Sequence, residues 1–233
     1  MSGLPSPSVN SVFLSLHALL ANDTSARLFH QGDSFAVISE EDSLHTCYMV
    51  TTDLTFVDSI IGQLHGLTEF CAVSSVIAAH LESRFTLKVK TPCSHMVYNG
   101  TGLPQNHSLI TQPMMPEYWK LISDTTFYHP SQNTITSDLT NRDSAAVYVE
   151  GKPVSWVLTH EDNSIGMLYT LPHFRGNGFA TAVTLDLCSR HIAAGITPHA
   201  YIVKGNVASK KLFGTFNCFH YSDDVYFCTF EAP

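Results

Sequence analysis

Residues 168–180 read L-Y-T-L-P-H-F-R-G-N-G-F-A, and the fold turns on how this stretch is read. A β-favouring run of Ile165, Met167, Leu168, Tyr169 and Thr170 stops at Pro172. Gly176 and Gly178 follow, and an apolar spacing of helical period begins at once. The pattern predicts a strand, a glycine loop and a helix N-terminus. Such a turn leaves the first N–H groups of the helix without intrahelical partners and points the positive end of the helix dipole into the loop. It is therefore a seat for a phosphate or pyrophosphate. Glycines serving a tight turn alone would give the same G-x-G, but Arg175 beside the loop adds a charge that a bare turn does not need.

Spacing narrows the occupant. A dinucleotide fingerprint requires G-x-G-x-x-G/A, yet the position reached from Gly176 and Gly178 is Thr181, and the next strand ends at Lys204 where an acidic ribose ligand would stand. The G-x-x-x-x-G-K-S/T string of a P-loop is absent.

The string T-L-P-H-F-R-G-N-G-F-A ahead of a helix, followed by Y-I-V-K-G-N-V-A-S-K-K-L-F at 201–213, resembles the acyl-CoA-binding core of the GNAT N-acyltransferases. G-K-P-V-S-W-V-L at 151–158 narrows the resemblance to the glycine N-acyltransferase-like branch and its FR47-like relatives. It covers roughly residues 145–219. The resemblance implies an α/β (α+β) fold with a central mixed, splayed β-sheet flanked by helices. It also implies transfer of an acetyl or longer acyl group from a CoA thioester to the amine of a small acceptor such as glycine or another amino acid. On that pattern Leu168, Tyr169, Thr170 and Leu171 pair with the pantetheine arm as a strand edge. His173, Arg175, Gly176, Asn177, Gly178, Phe179, Ala180 and Thr181 surround the pyrophosphate, and Asn206, Ser209, Lys210 and Phe213 contribute from the second motif. Acyl-CoA is the co-substrate so implied, and no metal is called for. A protein or peptide N-acetyltransferase and a catalytically silent acyl-CoA-binding protein remain open beside this reading.

The chain departs from the family pattern where proton transfer is concerned. His173 stands at the first position of the Q/R-x-x-G-x-G/A motif, and its charge at neutral pH is less certain than that of arginine. Seven residues after Asn206, where many relatives carry a tyrosine acid, stands Phe213, which transfers no proton. Ser164 falls where the glycine N-acyltransferases have a glutamate. The nearby loop residues His160, Glu161 and Asp162 are therefore the candidates for taking a proton from the acceptor, against a solvated turn for each. Tyr169 and Tyr201 are candidates for donating one to the thiolate, against a place in the core.

Bulk properties bound the partners. With 233 residues, 44% hydrophobic and 14% charged, the chain can build a sizeable core. A net charge of −8 with 12 Lys plus Arg argues against nucleic acid or an anionic membrane surface as the main partner. Arg175, Arg190, Lys204, Lys210 and Lys211 concentrate the scarce positive charge after Leu171. The six cysteines, with no C-x-x-C pair, read as reduced buried thiols. Residues 1–26 hold no Lys or Arg, so neither a signal peptide nor a transit peptide is expected there, and the location reads as cytoplasmic. No apolar run approaches a membrane span, and the sequons at Asn22, Asn99 and Asn106 are read as chance.

Along the chain, helices are expected over 8–21, 56–64 and 74–82, with strands over 35–38, 47–50, 85–89 and 95–98. An acidic turn, Glu40 to Asp42, separates the first two strands. The Gly/Pro-rich stretch 99–104 marks a junction. It divides an N-terminal α/β domain, 1–103, which the resemblance describes as a degenerate GNAT-like module, from a C-terminal acyl-CoA-binding domain, 104–233. In the second half a strand near 108–111, helices from Pro116 and near 135–141, a hairpin of 144–149 with 154–159, a helix over 178–194, a strand over 199–203 and a short helix capped by Asn206 are expected.

Overall fold

A computed structural model of the chain describes residues 3–41, 44–104, 109–126 and 130–233. It opens with α1 (Phe13–Asn22), β1 (Arg27–Gln31), β2 (Ser34–Glu41), β3 (Leu44–Val50), α2 (Leu54–Ile61), β4 (Gly66–Val73), α3 (Ser75–Arg84) and β5 (Val89–Tyr98). A 3₁₀ turn (Pro116–Tyr118) then leads into α4 (Trp119–Thr125), α5 (Gln132–Asn141), β6 (Ser144–Val149), β7 (Lys152–Thr159) and β8 (Ile165–Thr170). A second 3₁₀ turn (Pro172–Phe174), α6 (Phe179–Ala193), β9 (His199–Val203), α7 (Val207–Thr215) and β10 (Phe219–Ala232) complete the chain.

The larger sheet runs β1-β2-β3-β4-β10-β5-β9, and the smaller one β6-β7-β8. β3 and β4 are parallel while β1–β2, β2–β3 and β4–β10 are antiparallel, so the sheet is mixed. β8 and β9 meet through one parallel bridge, Ser164 with His199, and no further ladder joins these strands among the described residues. That single bridge is the root of the splay.

The chain divides into two compact units, Met1–Met96 with Tyr201–Val207 and Tyr221–Pro233, and Val97–Ala200 with Ala208–His220. A single cut near residue 103 does not reproduce this division, because strand pairing ignores chain order. The C-terminal part of β10, from Tyr226 to Ala232, returns to pair with β4. In the first unit Phe70, Phe85 and Phe230 stack under α2 and α3, with ring centroids 5.5 Å apart for Phe70–Phe230 and 4.6 Å for Phe85–Phe230. On the other face α1 buries Val12, Phe13, Leu16 and Leu19. Val9, counted on the same face in the sequence, precedes the helix and is exposed.

In the second unit α4 and α5 press Ile122, Ile135 and Leu139 onto Trp156 and Leu158 of β7. Ser131 caps α5 by accepting from the Thr134 amide at 3.0 Å. Glu150 and Gly151 both take positive φ, 51° and 75°, which is the two-residue turn that sets Val149 opposite Lys152 at the end of β6 and β7.

Several expectations shift. β1, β4 and β10 carry no clear signal in the sequence, and one strand, β5, replaces the two expected over 85–98. Ser108, where a strand was expected to begin, and Asp42 lie outside the described residues; residues 109–111 form no strand, and Gln112 makes an isolated bridge with Ala146. On α6 the buried face includes His191, while Ile192 is 38% exposed. No helix among the described residues is long and apolar enough to cross a membrane.

Candidate active site

β8 is the last strand of its sheet, so the edge that carries Leu168, Tyr169 and Thr170 has no ladder partner on its outer side among the described residues. Its inner side pairs with β7, Ser155 opposite Thr170, Trp156 opposite Tyr169 and Leu158 opposite Gly166. The last two pairs are out of step by one residue. The extra residue is Met167, whose φ of 50° marks a β-bulge. Trp156 and Leu158 face α4 and α5, so their partners Gly166 and Tyr169 face the same way, and the bulge adds Met167 to that face. Nothing in the sequence announces this bulge, since methionine rarely adopts a positive φ.

Beyond β8 the chain turns through Pro172–Phe174 into Gly176 and Gly178, with φ of 81° and 77°. A Cβ at either glycine would meet open space, so the residue type answers to backbone conformation and not to crowding. Gly178 is the N-cap of α6 and offers no side chain to the helix, whose first turn contains no acidic residue. The first intrahelical bond runs from Ala182 N to Gly178 O at 3.0 Å, which leaves the amides from Phe179 to Thr181 ahead of the ladder. The loop has the conformation expected of an anion seat.

Side chains around the loop sort themselves. Arg175 folds back, donating from Nε to Thr170 O at 3.0 Å with its guanidinium 5.5 Å from the centroid of the Tyr169 ring. It thereby ties the loop to the strand end. Asn177 donates to Phe174 O and Arg175 O, and His173 is exposed on the 3₁₀ turn. Ser209 is half-buried and Lys210 exposed on α7; Asn206 is exposed and belongs to the first unit. Phe213 is 3% exposed and engaged by Phe216 and Phe219, so a core role accounts for it. Two of the five cations counted near the loop are spent elsewhere. Arg190 binds Asp186, Asp143 and Ser144 O, and Lys204 pairs with Asp224.

The candidate proton-transfer residues have distinct fates. Asp162 is fully buried, and its Oδ1 accepts from the Ser164 amide at 3.0 Å and the Ser164 hydroxyl at 2.6 Å. Asp162 thus holds the loop through its acceptor Oδ1. Ser164 is its donor. His199 Nε2 lies 3.3 Å from Asp162 O. Glu161 is partly exposed on the same turn. His160 donates from Nδ1 to Asp138 Oδ2 at 3.2 Å, and Arg142 binds the other oxygen of that carboxylate at 2.6 Å. Tyr169 packs its ring 5.5 Å from Trp156. Burial works to lower the His160 pKa, but the hydrogen bond and charge of Asp138, with Asp162 behind it, outweigh burial and the Arg142 cation, so the imidazole is raised above its ordinary value. Asp138 and Gly166 were not singled out in the sequence. A helix acid and a strand glycine have no local signal that links them to His160. Among the described residues no group of three or more His, Cys, Asp or Glu is placed to hold a metal ion.

These features define a class: a mixed sheet, together with an antiparallel sheet whose open strand edge runs into a glycine loop and helix N-terminus, is the GNAT fold. Residues 145–226, about a third of the chain, match the model of the FR47-like protein family. The chain has the GNAT fold, and this segment is similar to the FR47-like family. A Drosophila protein of known structure superposes with a TM-score of 0.78 at 15% identity, covering 96% of this chain and 92% of its own. A putative GNAT-family acetyltransferase from Novosphingobium aromaticivorans gives 0.67 at 11% identity, covering 98% and 100%. A tandem GNAT protein from the clavulanic acid biosynthesis pathway gives 0.53 at 13%, covering 94% and 88%. None of the curated proteins compared with the sequence matches it.

Proposed function

We propose that the chain is an acyl-CoA-dependent N-acyltransferase that transfers an acetyl or longer acyl group to a small amine such as glycine or another amino acid. The observation that carries this reading is the continuity of a β8 edge, unpaired among the described residues, with the αL glycines and the amides that precede the α6 ladder. An extended chain of amides would pair with the edge, and a pyrophosphate would meet the helix N-terminus. Bound acyl-CoA supplies the activated carbonyl as a thioester. The protein's part is then to orient it, exclude water and manage protons, without a covalent intermediate.

A small acceptor is favoured over a protein substrate by the branch to which the hairpin at 151–158 points. The first unit, a mixed sheet with helices, is read as a degenerate GNAT-like module, and the likeness to a tandem GNAT protein supports that reading. A cytoplasmic setting accords with six cysteines that are all free thiols. Release of free CoA thiol from acetyl-CoA and longer acyl-CoAs, with and without a panel of amino acids, tests the proposal. Acceptor-dependent release is expected. Binding of acyl-CoA without acceptor-dependent release would refute it in favour of a silent binding protein, and release that requires basic peptides would favour a protein N-acetyltransferase.

A further inference from the structure

We propose that His160 is the proton acceptor for the attacking amine, with Asp138 as its positioning residue. This rests on the acyltransfer reading above. Four observations converge on the pair. Asp138 sits on α5 with its carboxylate 4% exposed, and it fixes the proton of His160 on Nδ1, which leaves Nε2 as the nitrogen able to take another. The His160 side chain keeps 26% of its surface exposed, so a ring held on one side by a buried acid is still in part open to solvent. Its Nε2 occupies the space above Gly166: a Cβ built on that glycine would lie 2.1 Å from Nε2 and 2.6 Å from Cδ2. Glycine in the middle of a strand is unfavourable without such a reason. Finally, the β7–β8 register puts Gly166, Met167 and Tyr169 on the face of β8 that turns toward α4 and α5, so the ring lies on that face of the strand whose edge would seat the thioester arm.

The groups facing the ring are Asp138 and Arg142 from α5, Asp162 from its own loop and His199 from β9. The other candidates are engaged or chemically unsuited. Asp162 holds the loop, Ser164 donates to it, and Phe213 has no proton to move. In the step proposed, the acceptor ammonium gives one proton to Nε2. The lone pair so freed forms the C–N bond at the thioester carbonyl, and the C–S bond breaks with its electron pair on sulfur. The thiolate takes the second proton lost by the attacking nitrogen, and Nε2 returns its proton to solvent. Products are an amide and a free thiol, with no oxidant or metal involved.

The test uses the full chain and follows acyl-CoA binding and acceptor-dependent thiol release from pH 5.5 to 9. His160→Gln is expected to lower kcat by about 100-fold or more while leaving acyl-CoA affinity within about twofold, and to abolish the acidic limb of the kcat profile. Asp138→Asn is expected to keep measurable turnover but to move that limb to lower pH, because the ring then loses the charge of its hydrogen-bond partner while burial and the Arg142 cation remain. Gly166→Ala retains every titrating group yet displaces the ring, and it should lose kcat as His160→Gln does. Unchanged kcat and an unchanged limb in His160→Gln would overturn the assignment while leaving the acyltransfer reading intact. A wild-type protein that binds acyl-CoA but turns over no amine would overturn both.

Discussion

Acid should weaken the fold through His191, by an amount that can be worked out. This histidine lies on α6, is 1% exposed, and places Nε2 2.8 Å from Thr159 Oγ1, while its Nδ1 has no hydrogen-bond partner among the described residues. Burial, assisted by the nearby charges of His199 and Arg190, pulls its pKa down to about 4 from an ordinary value of 6.5. A group that resists protonation only when folded contributes stability that is complete above the unfolded pKa and drains away as pH falls toward the folded one. At roughly 1.4 kcal/mol per unit of pH, the unfolded chain gains about 2 kcal/mol over the folded one between neutrality and pH 5, and about 3 kcal/mol by pH 4. His199, also lowered chiefly by burial, acts in the same direction, and His160, raised by Asp138, acts in the opposite one. The His191 share is isolated by difference. His191→Gln keeps an amide able to bond Thr159 and cannot titrate, so urea unfolding of both proteins at pH 7 and pH 5 should show wild type losing about 2 kcal/mol more than the variant. Equal losses would refute the argument, since the charge of His191 would then be tolerated as well inside the fold as outside it.

Other perturbations separate backbone conformation, loop structure and capping. Gly178→Val should weaken acyl-CoA binding and cost about 1–2 kcal/mol of stability, with Gly178→Asn milder on both counts, because the position needs φ of 77° and asparagine tolerates that region best after glycine; isothermal titration with acetyl-CoA beside thermal melts would show it, and equal effects would count against a conformational cause. Asp162→Ala should lose about 1–3 kcal/mol as the Ser164 amide and hydroxyl lose their acceptor, while the acidic limb of kcat, where turnover is measurable, persists and moves to lower pH because the Asp162 charge helps to raise His160, whereas His160→Gln loses the limb altogether. Ser131→Ala removes the cap of the helix that carries Asp138 and should cost about 1 kcal/mol, read as a drop of roughly 2–4 °C in Tm.

Local order made much of the second unit legible. The hairpin at Glu150 and Gly151, the strand stopped by Pro172, the loop glycines and the helix behind them are encoded by residues within a few positions of one another, and α6 and β9 fall within a residue or two of where the pattern put them. Chemistry written in the backbone of a contiguous stretch can be read from that stretch. The proton-transfer candidates could be located to a loop but not ranked, because His160, Glu161 and Asp162 differ only in what approaches them from elsewhere. Asp138 arrives from α5, 22 residues earlier, and His199 from β9, 37 residues after Asp162.

Phe213 and Arg190 teach the same distinction. The family pattern sets Phe213 among the cofactor residues and the sequence counts Arg190 in the charge after Leu171, and each has partners that only folding supplies, an aromatic cluster for one and two aspartates with a carbonyl for the other. β10 is the extreme case. Its run F-H-Y-S-D-D-V-Y-F-C-T-F-E-A mixes polar and apolar residues too irregularly to declare a strand, yet it pairs with β4 and buries Cys228 and Phe230. By itself the sequence determined the strand, glycine loop and helix start around Gly176 and Gly178 and the class of fold, since both are short-range matters of φ, capping and periodicity. Tertiary structure decided which strand closes the sheet, which acid is spent on structure and which histidine keeps a nitrogen in reserve, because strand pairing, burial and hydrogen-bond partnership depend on residues far apart in the chain.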